Sequence, residues 1–379
     1  MRRLALCSMA AALAAPLWAT SLAAQGSLSL QGFGYPTGQT STRAAATAGA
    51  LGEFDAGSPI NPGALPGAGR SIMAFQLDPE FRNVVVDGRS VKTTTARFPL
   101  VTVGARVGTR GFVGVTFSTL LDRTWDAAYH DTVSVGPDRA PSTVSTKNRG
   151  ALSDARLAFA WQLTERVQVG VAFHALTGAN RMTLERTFND SSTFGTLQQN
   201  TTLAYTGSAL SAGIVARLLP HVVAAGSLRM GGSMRTRLDD SLATQGNAPN
   251  RFGASLLYDG IPGSQLAVRY SHEGWTGMRG LGTAALDVHD ANELSVGADV
   301  AGPRIRESTT QFRFGARTRE LPFGWNGNAV KEQTLAAGGG MTFARGWATL
   351  DLSLQRAQRS AGIQREKGTI LSVGLTVRP

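Results

Sequence analysis

The sequence predicts an all-β protein, namely a transmembrane, antiparallel, up-and-down β-barrel of about 14 strands. Three observations predict this class. Beyond about residue 70 the chain repeats segments in which apolar and polar side chains alternate. Short and long connections between these segments follow one another in turn. After the N-terminus, no run approaches the roughly 18 consecutive apolar residues of a membrane-spanning helix.

The first 24 residues have the composition of a secretory signal peptide. Arg2 and Arg3 precede an apolar run over residues 4–17, and small residues follow up to residue 24. A positive start, a short apolar core and a small-residue end are the three parts of such a signal. A membrane anchor is the weaker interpretation, because the run is shorter than the ~20 residues of a spanning helix and contains Pro16.

Composition argues against several other functions. Cys7 is the only cysteine and lies in the predicted signal, so no disulfide framework and no cysteine-ligated metal site are expected. The five histidines are scattered without ligand spacing, and the sequence shows no triad, so we expect no metal, no cofactor and no enzyme activity. The net charge of +11 comes from scattered residues, so we expect anionic lipid head groups as neighbours and no nucleic acid.

Residues 25–70 differ from the rest because they are rich in Ala, Gly and Pro and do not alternate. One interpretation is a disordered linker of low complexity. The other is a small plug, or hatch, packed inside the barrel, since small residues fit a narrow interior and a barrel of this size is either wet or filled. The predicted domains are therefore the signal peptide (1–24), the plug (25–70) and the barrel (71–379).

The predicted strands have one apolar and one polar face. In "ATLDLSLQ" (348–355), Leu350, Leu352 and Leu354 share one face, which we assign to lipid. Charged residues fall on the opposite face, where a lumen can hydrate or pair them, whereas on the lipid face an arginine costs roughly 2–4 kcal/mol at mid-depth. The charges predicted to face the lumen are Arg156, Arg269, Glu293, Asp299, Arg313, Arg317 and Asp351.

The connections indicate which end of the barrel is which. Short turns are predicted at 108–110, 163–165, 219–221, 261–263, 301–303 and 344–346. Long polar connections are predicted at 121–150, 178–202, 232–250, 272–290, 318–331 and 356–367. In bacterial outer-membrane barrels short turns face the periplasm and long loops face outward. Both chain ends are thus predicted on the periplasmic side.

The stretch "TRAAATAGALGEFDAGSPINPGAL" (42–65) resembles the N-terminal signature of the long-chain fatty acid and aromatic hydrocarbon transporter family (FadL/TodX). In that family a Gly/Ala-rich stretch is followed by an acidic residue and an Asn-Pro-Ala motif. Asp55 stands at the acidic position, and Asn61, Pro62 and Gly63 at the motif, with Gly in place of Ala. Together with Arg43, these are the predicted plug residues.

The resemblance implies passive uptake of hydrophobic small molecules, such as fatty acids or aromatic hydrocarbons. It implies a pocket near the outer loops, an N-terminal hatch and a lateral exit at a strand kink. Trp125, Trp275 and Trp325 lie in or beside the predicted outer loops and have two interpretations. They line an apolar ligand pocket, or they belong to the aromatic girdle at the membrane interface.

Two functional hypotheses follow. The first is a channel for hydrophobic small molecules, and the second is a non-transporting scaffold or surface-attachment protein whose outer loops bind another protein. A channel needs an apolar pocket, whereas a scaffold allows a packed, charge-paired interior. In both cases the expected location is the bacterial outer membrane. The expected partners are outer-membrane lipid and lipopolysaccharide, the barrel assembly machinery and, for the channel, a hydrophobic ligand.

Overall fold

A computed structural model of the chain describes residues 28–86, 89–135, 138–190, 194–238, 241–281 and 287–378. The predicted signal peptide lies outside the described residues. The described part forms one sheet of seventeen strands, and all pairings of neighbouring strands within it are antiparallel. The sheet closes on itself because β9 pairs with β11 and β17 pairs with β2. Fourteen of the strands make the barrel, so the predicted all-β barrel and its strand count are confirmed.

The strands are numbered in chain order. A two-residue strand of the N-terminal region is β1, Tyr35–Pro36, and β5 and β10 extend the sheet without completing the barrel. The bounds of the other strands are β2 Ser71–Val86, β3 Arg89–Val107, β4 Gly111–Asp122, β5 Trp125–Val135, β6 Asp138–Gln162, β7 Val167–Phe188, β8 Leu197–Leu219, β9 Val222–Leu238, β10 Ser241–Asn247, β11 Asn250–Tyr258, β12 Ser264–Gly274, β13 Ala291–Ile305, β14 Ser308–Trp325, β15 Asn328–Phe343, β16 Ala348–Ala361 and β17 Gln364–Val377.

Helical structure is short. Helix α1 covers Thr42–Ala45 and begins at Ser41, whose side chain accepts a hydrogen bond from the backbone N–H of Ala44. Turns of 3-10 helix cover Leu28–Leu30, Pro62–Ala68, Thr276–Leu281 and Ala344–Gly346. Among the described residues, none of the helices has the length and apolar character needed to cross a membrane.

The alternation predicted from the sequence sorts the side chains between two environments. On β16, Leu350, Leu352 and Leu354 are 41–53 % exposed, whereas Asp351 and Ser353 between them are buried. Exposed Val, Leu and Phe side chains continue around the other barrel strands and form an apolar belt. The outward face therefore has the surface that lipid requires, and the inward face is polar and buried.

The ends of the barrel differ as predicted, with one correction for the short turns. Turns of a few residues follow β3, β6, β8, β11 and β15 where the sequence predicts them. The turn predicted at 301–303 is wrong, because β13 continues to Ile305 and turns at Arg306 and Glu307. Its register with β14 shifts between Ala301 and Arg304, which is a bulge. Pro303 lies in this bulge and has no N–H to donate to the ladder.

The predicted long loops are mostly strand. Strands β6, β7 and β8 have 25, 22 and 23 residues, longer than a bilayer crossing requires. Strand β5 pairs with the projecting end of β6, and β10 pairs with the projecting end of β9. Beyond the membrane both faces of a strand are polar, so alternation disappears from the sequence while the ladder continues. Within the predicted connection 272–290, the described residues 275–281 and 287–290 lie outside the strands.

We predict that Leu352→Arg destabilises the folded barrel in a lipid bilayer by about 2–4 kcal/mol, because Leu352 lies on the outward face within the apolar belt. Denaturant unfolding in phospholipid vesicles measures the change. The matched control is Gln358→Arg, on the same face of the same strand but beyond the belt, where the expected cost is about 0–1 kcal/mol. Equal stabilities of the two variants would contradict the assignment of the belt.

Candidate functional site

The N-terminal segment, residues 28–69, contacts the inward-facing side of strands around the barrel. Its 3-10 helix Pro62–Ala68 packs on β4, β6, β7 and β8, and α1 packs on β15, β16 and β17. Side chains of the segment reach β9 and strands β11 to β13. Strand β1 pairs with β4 and also contacts β14. The interior surface shared by segment and wall is therefore the candidate site.

Glycines in the wall allow the segment to approach the strand backbones closely. A Cβ atom on Gly213 of β8 would overlap the side chain of Asn61. A Cβ atom on Gly170 of β7 would overlap the backbone of Pro62. A side chain at either position would push the 3-10 helix away from the wall. Glycine at both positions therefore allows the helix to pack closely against the wall.

Asn61 organises the turn that enters this 3-10 helix. Its Oδ1 accepts a hydrogen bond from the N–H of Gly63 at 2.8 Å, which is the usual role of Asn at a helix start. Its Nδ2 donates to the carbonyl oxygens of Glu53, at 3.0 Å, and Ile214, at 3.1 Å. One amide side chain thus joins two parts of the segment to the wall strand β8.

The two carboxylates of the segment have different partners. Asp55, at the predicted acidic position, accepts hydrogen bonds from the hydroxyls of Ser41 and Ser58, both within the segment. Glu53, which the sequence analysis does not single out, reaches the wall instead. Its Oε1 lies 2.9 Å from Arg251 Nη2 and 3.4 Å from Arg269 Nε. The carboxylate that joins the segment to the wall is therefore Glu53.

Arg43 makes a second contact between the segment and the wall. Its guanidinium lies 3.2 Å from Asp299 Oδ2 and donates to Gln265 Oε1 at 3.1 Å. Asp299 also pairs with Arg313 at 3.0 Å, and Arg313 pairs with Asp351 at 2.6 Å. Three of the predicted lumen-facing charges therefore form one row with Arg43.

Glu332 is the centre of a larger group of charges. It pairs with Arg359 and Arg319, both at 2.7 Å, and with Arg317 at 3.3 Å. The hydroxyl of Tyr35, from the segment, donates to Glu332 at 2.8 Å. The guanidinium carbons of Arg359 and Arg319 lie 4.4 and 5.0 Å from the centre of the Tyr35 ring, within the range of cation–π attraction.

A Ser–His–Asp arrangement lies on the inward face of β6, β7 and β8. His174 Nδ1 is 2.9 Å from Asp154 Oδ1, and His174 Nε2 is 2.8 Å from Ser211 Oγ. Asp154 also accepts a hydrogen bond from Gln39 Nε2 of the segment at 2.9 Å, and Gln39 accepts from Arg229 at 3.0 Å. All these side chains are buried, so the arrangement acts here as a further contact between segment and wall.

The remaining predicted charges lie on the same inward face. Arg269 pairs with Glu293 as well as Glu53, and Arg317 lies 3.9 Å from Glu293. Arg156 is 3 % exposed, and its Nε and Nη2 have no hydrogen-bond partner among the described residues. Its electrostatic neighbours are Asp154, Arg251 and Glu53. The charges of the site thus form several groups of ion pairs rather than one continuous network.

The three tryptophans are not brought together. Trp275 is fully buried in an apolar cluster with Met278, Leu281 and Phe323, and its Nε1 donates to Glu273 at 2.8 Å. Trp325 packs at the edge of a different cluster that includes Val330. Trp125 begins the outer strand β5. The three side chains therefore do not line one pocket, and Trp275 is too buried for an interfacial girdle.

Two of the cavities between segment and wall are small. One of about 30 Å3 is lined by Gln39, Arg269, Trp275 and neighbouring residues, and one of about 20 Å3 is lined by Thr42, Asp351 and others. Because one water needs roughly 10–15 Å3 on this measure, these volumes correspond to about one to three waters each. At these two places the segment packs closely against the wall.

A wider, open cavity of about 580 Å3 lies at the short-turn end, between Arg43 and the turns after β8 and β11. Asp259 borders it and is in the turn after β11. A hydrogen bond from the Arg217 guanidinium, assisted by His221, holds the pKa of Asp259 below its usual value. This mouth of the barrel is therefore polar and carries both signs of charge.

Strand β2 is irregular where it pairs with β3. Its register with β3 shifts between Gln76 and Asp78. On the other edge, the pairs with β17 run to Leu77 opposite Val373 and continue from Glu80 opposite Ile370. Residue 79 is a proline, which cannot donate to a ladder. The wall is therefore irregular at this position.

Solved structures share this fold. The chain is similar to a FadL homologue of Pseudomonas aeruginosa, with 10 % identity, a TM-score of 0.63, and coverage of 89 % of this chain and 98 % of that one. It is similar to the toluene transporter TbuX of Ralstonia pickettii, with 12 % identity, a TM-score of 0.59 and coverage of 90 % and 99 %. It is also similar to the monoaromatic hydrocarbon channel CymD, with 14 % identity, a TM-score of 0.57, and coverage of 90 % of this chain and 97 % of that one.

Sequence comparison adds no relative, since no protein-family model and no curated protein matches the chain. The fold nevertheless defines the class, a closed fourteen-stranded barrel with an N-terminal segment against its inner wall. The predicted resemblance to the FadL/TodX transporters is confirmed for the fold.

We predict that Glu53→Ala loosens the segment and destabilises the protein by about 3–5 kcal/mol, because it leaves the buried guanidiniums of Arg251 and Arg269 without a shared partner. Denaturant unfolding gives the stability, and limited proteolysis followed by N-terminal sequencing gives the exposure of residues 28–69.

The control is Glu307→Gln, at an exposed residue of the turn between β13 and β14. It is expected to leave stability and cleavage unchanged, as surface substitutions generally do. A Glu53→Ala variant as stable and as resistant as this control would show that Glu53 does not hold the segment.

Proposed function

We propose that the protein is an outer-membrane channel for the passive uptake of hydrophobic small molecules, such as fatty acids or aromatic hydrocarbons, and that residues 28–69 are its plug. The observation that carries the proposal is the segment's contact with strands around the barrel. A barrel of fourteen strands is wider than the eight-stranded ones that their own side chains fill, so an added segment is needed to close it. The fold shared with a toluene transporter and a hydrocarbon channel supports the same function.

The first contact for a hydrophobic solute would be the apolar cluster beneath the outer hairpins. It contains Trp275, Met278 and Leu281 from the connection between β12 and β13, and Phe33 from the segment. The Phe33 ring lies 5.8 Å from that of Phe323 and 5.9 Å from that of Tyr205. Because the cluster combines segment and wall, a solute that enters it also loosens the upper end of the plug.

The exit supported best is the irregular part of β2. There the register with β3 shifts between Gln76 and Asp78, next to Pro79, which cannot donate to a ladder. The 20 Å3 cavity beside it is lined by Gln76 of β2 and Thr42 of α1, so the plug covers this position from inside. A solute leaving here enters the apolar belt of the membrane directly.

Deletion of residues 25–70 is predicted to open an ion-conducting pore. The segment fills the interior in the intact protein, and its removal leaves a wide lumen lined by charges that attract water. Single-channel recording in planar bilayers measures conductance, with the Glu307→Gln variant as the closed control. A folded deletion variant that conducts no better than this control would exclude a plug.

A solute assay tests the transport itself. Cells that export the intact protein are expected to accumulate radiolabelled toluene or oleate faster than cells without it, and to take up glucose no faster. Gly213→Val, which displaces Asn61 without removing any part of the segment, is expected to change the rate of toluene or oleate entry. Identical entry with and without the protein, for both apolar solutes, would exclude the channel.

The small cavities and paired charges of the interior favour a second candidate, the non-transporting scaffold. Its long hairpins, built from β5 and the outer half of β6, would bind another protein. In that case apolar solutes enter at the same rate with and without the protein. Replacement of residues 124–149 by a short turn would abolish attachment to the partner and leave the barrel folded.

A further inference from the structure

A hollow of about 390 Å3 lies on the outward side of β13 to β16, at the outer edge of the apolar belt. Its floor is Ala316, which is paired across the ladder with Val296 on one side and Leu335 on the other. Because Ala316 is small and its two neighbours are large and exposed, the surface is recessed at this point. Arg356 and Gln358 form the edge of the hollow toward the outer hairpins.

Four cations lie on the same outward face, where the belt ends. Arg356 is on β16, Lys331 on β15, and Arg365 and Lys367 on β17, and all four are exposed. Lys367 is opposite Gln358, the next outward residue after Arg356. Lys331 and Arg365 both pair with Ser360, from its two sides. The four side chains therefore start from three neighbouring strands that are about 4.8 Å apart.

The positive charge of this group is not neutralised by the protein. Within the part of the chain that the structure describes, no carboxylate forms an ion pair with any of the four. Glu320 is paired with Lys331 across the ladder, but its carboxylate accepts a hydrogen bond from Asn292 instead. Arg356 donates to the hydroxyl of Thr369, which holds its guanidinium beside the hollow. A ligand that binds here must therefore carry negative charge.

We propose that this surface binds the phosphorylated glycolipid of the outer leaflet, the lipid A part of lipopolysaccharide. An acyl chain would lie in the apolar hollow, whose volume is within the usual range of ligand sites. Phosphate groups would lie against the cations, as clustered Lys and Arg bind anionic lipid head groups. The proposal requires only that the hairpin end of the barrel faces outward, so it does not depend on which solute the interior passes.

The position of the four cations favours a lipid over a free phosphate as the ligand. They follow the last exposed apolar residues of their strands, Leu335, Leu354 and Leu371, at the hairpin end of the belt. That is the level of the head groups of the outer leaflet. A free phosphate would use the cations alone, whereas a lipid carrying phosphates and several acyl chains uses the cations and the hollow together.

Binding of purified diphosphoryl lipid A to the full, folded barrel in detergent tests the proposal, with native mass spectrometry as the readout. The double variant Arg356→Gln/Lys367→Gln is expected to bind about thirtyfold more weakly, since each cation near a lipid surface contributes about 1 kcal/mol and tenfold corresponds to about 1.4 kcal/mol. Ala316→Leu, which fills the hollow and keeps the charges, is expected to weaken binding about tenfold.

The matched control is Arg181→Gln, at an exposed arginine of β7 on another side of the barrel, and it should bind as the unaltered protein does. Lipid A without phosphates should bind the unaltered protein as weakly as diphosphoryl lipid A binds the double variant. Undiminished binding by the folded double variant, or equal binding of the phosphate-free lipid, would overturn the proposal. Equal or tighter binding of cardiolipin would assign the site to a phospholipid instead. Uptake of toluene, measured on the same variants, should be unchanged, which separates this proposal from the channel.

Discussion

The pairing of buried guanidinium groups with carboxylates is the constraint on which the interior depends. An ion removed from water without a partner costs several kcal/mol, and the inward face contains arginines as buried as Arg313 and Arg359, each 1 % exposed. The wall supplies part of the negative charge, through residues such as Glu332. The segment supplies another part through Glu53. Segment and wall are therefore one electrostatic unit, and neither is complete without the other.

The alternation of side chains in the sequence is sufficient to predict the barrel, because lipid on one side and a polar interior on the other leave a signal of period two. The same signal disappears beyond the membrane, which is why the ends of β6 and β7 were expected to be loops. The bulge at Pro303 was also missed, since a bulge shifts the ladder without changing local composition. A proline preceded by glycine is typical of a turn in a sequence. Only the continued pairing of β13 with β14 shows that residues 301–303 belong to the strand.

The candidate site was only partly predictable. Inward-facing arginines and acids follow from strand parity, but their partners do not, because the pairs join strands far apart in the sequence. Glu53 pairs with arginines about 200 residues away, whereas the nearby Asp55 binds serines of its own segment. The signal that could have found Glu53 is its place between Leu51 and Phe54, an acid among residues that are otherwise apolar. The Ser211–His174–Asp154 contacts likewise needed the register of three strands.

The same ion pairs limit the route that a hydrophobic solute can take. An apolar molecule moving along the barrel axis would separate Glu53 and Arg43 from the wall and could not replace their partners. Separating the buried Glu53 from its arginines costs about 3–5 kcal/mol, which lowers the population of that state by roughly a hundred- to several-thousandfold. The sideways exit of the proposed channel lies instead at β2, where the register with β3 shifts between Gln76 and Asp78. In the proposed channel, this sideways route leaves the pairs of Glu53 with Arg251 and Arg269 intact and therefore has the lower barrier, and the segment needs to move only beside the cavity between Thr42 and Gln76.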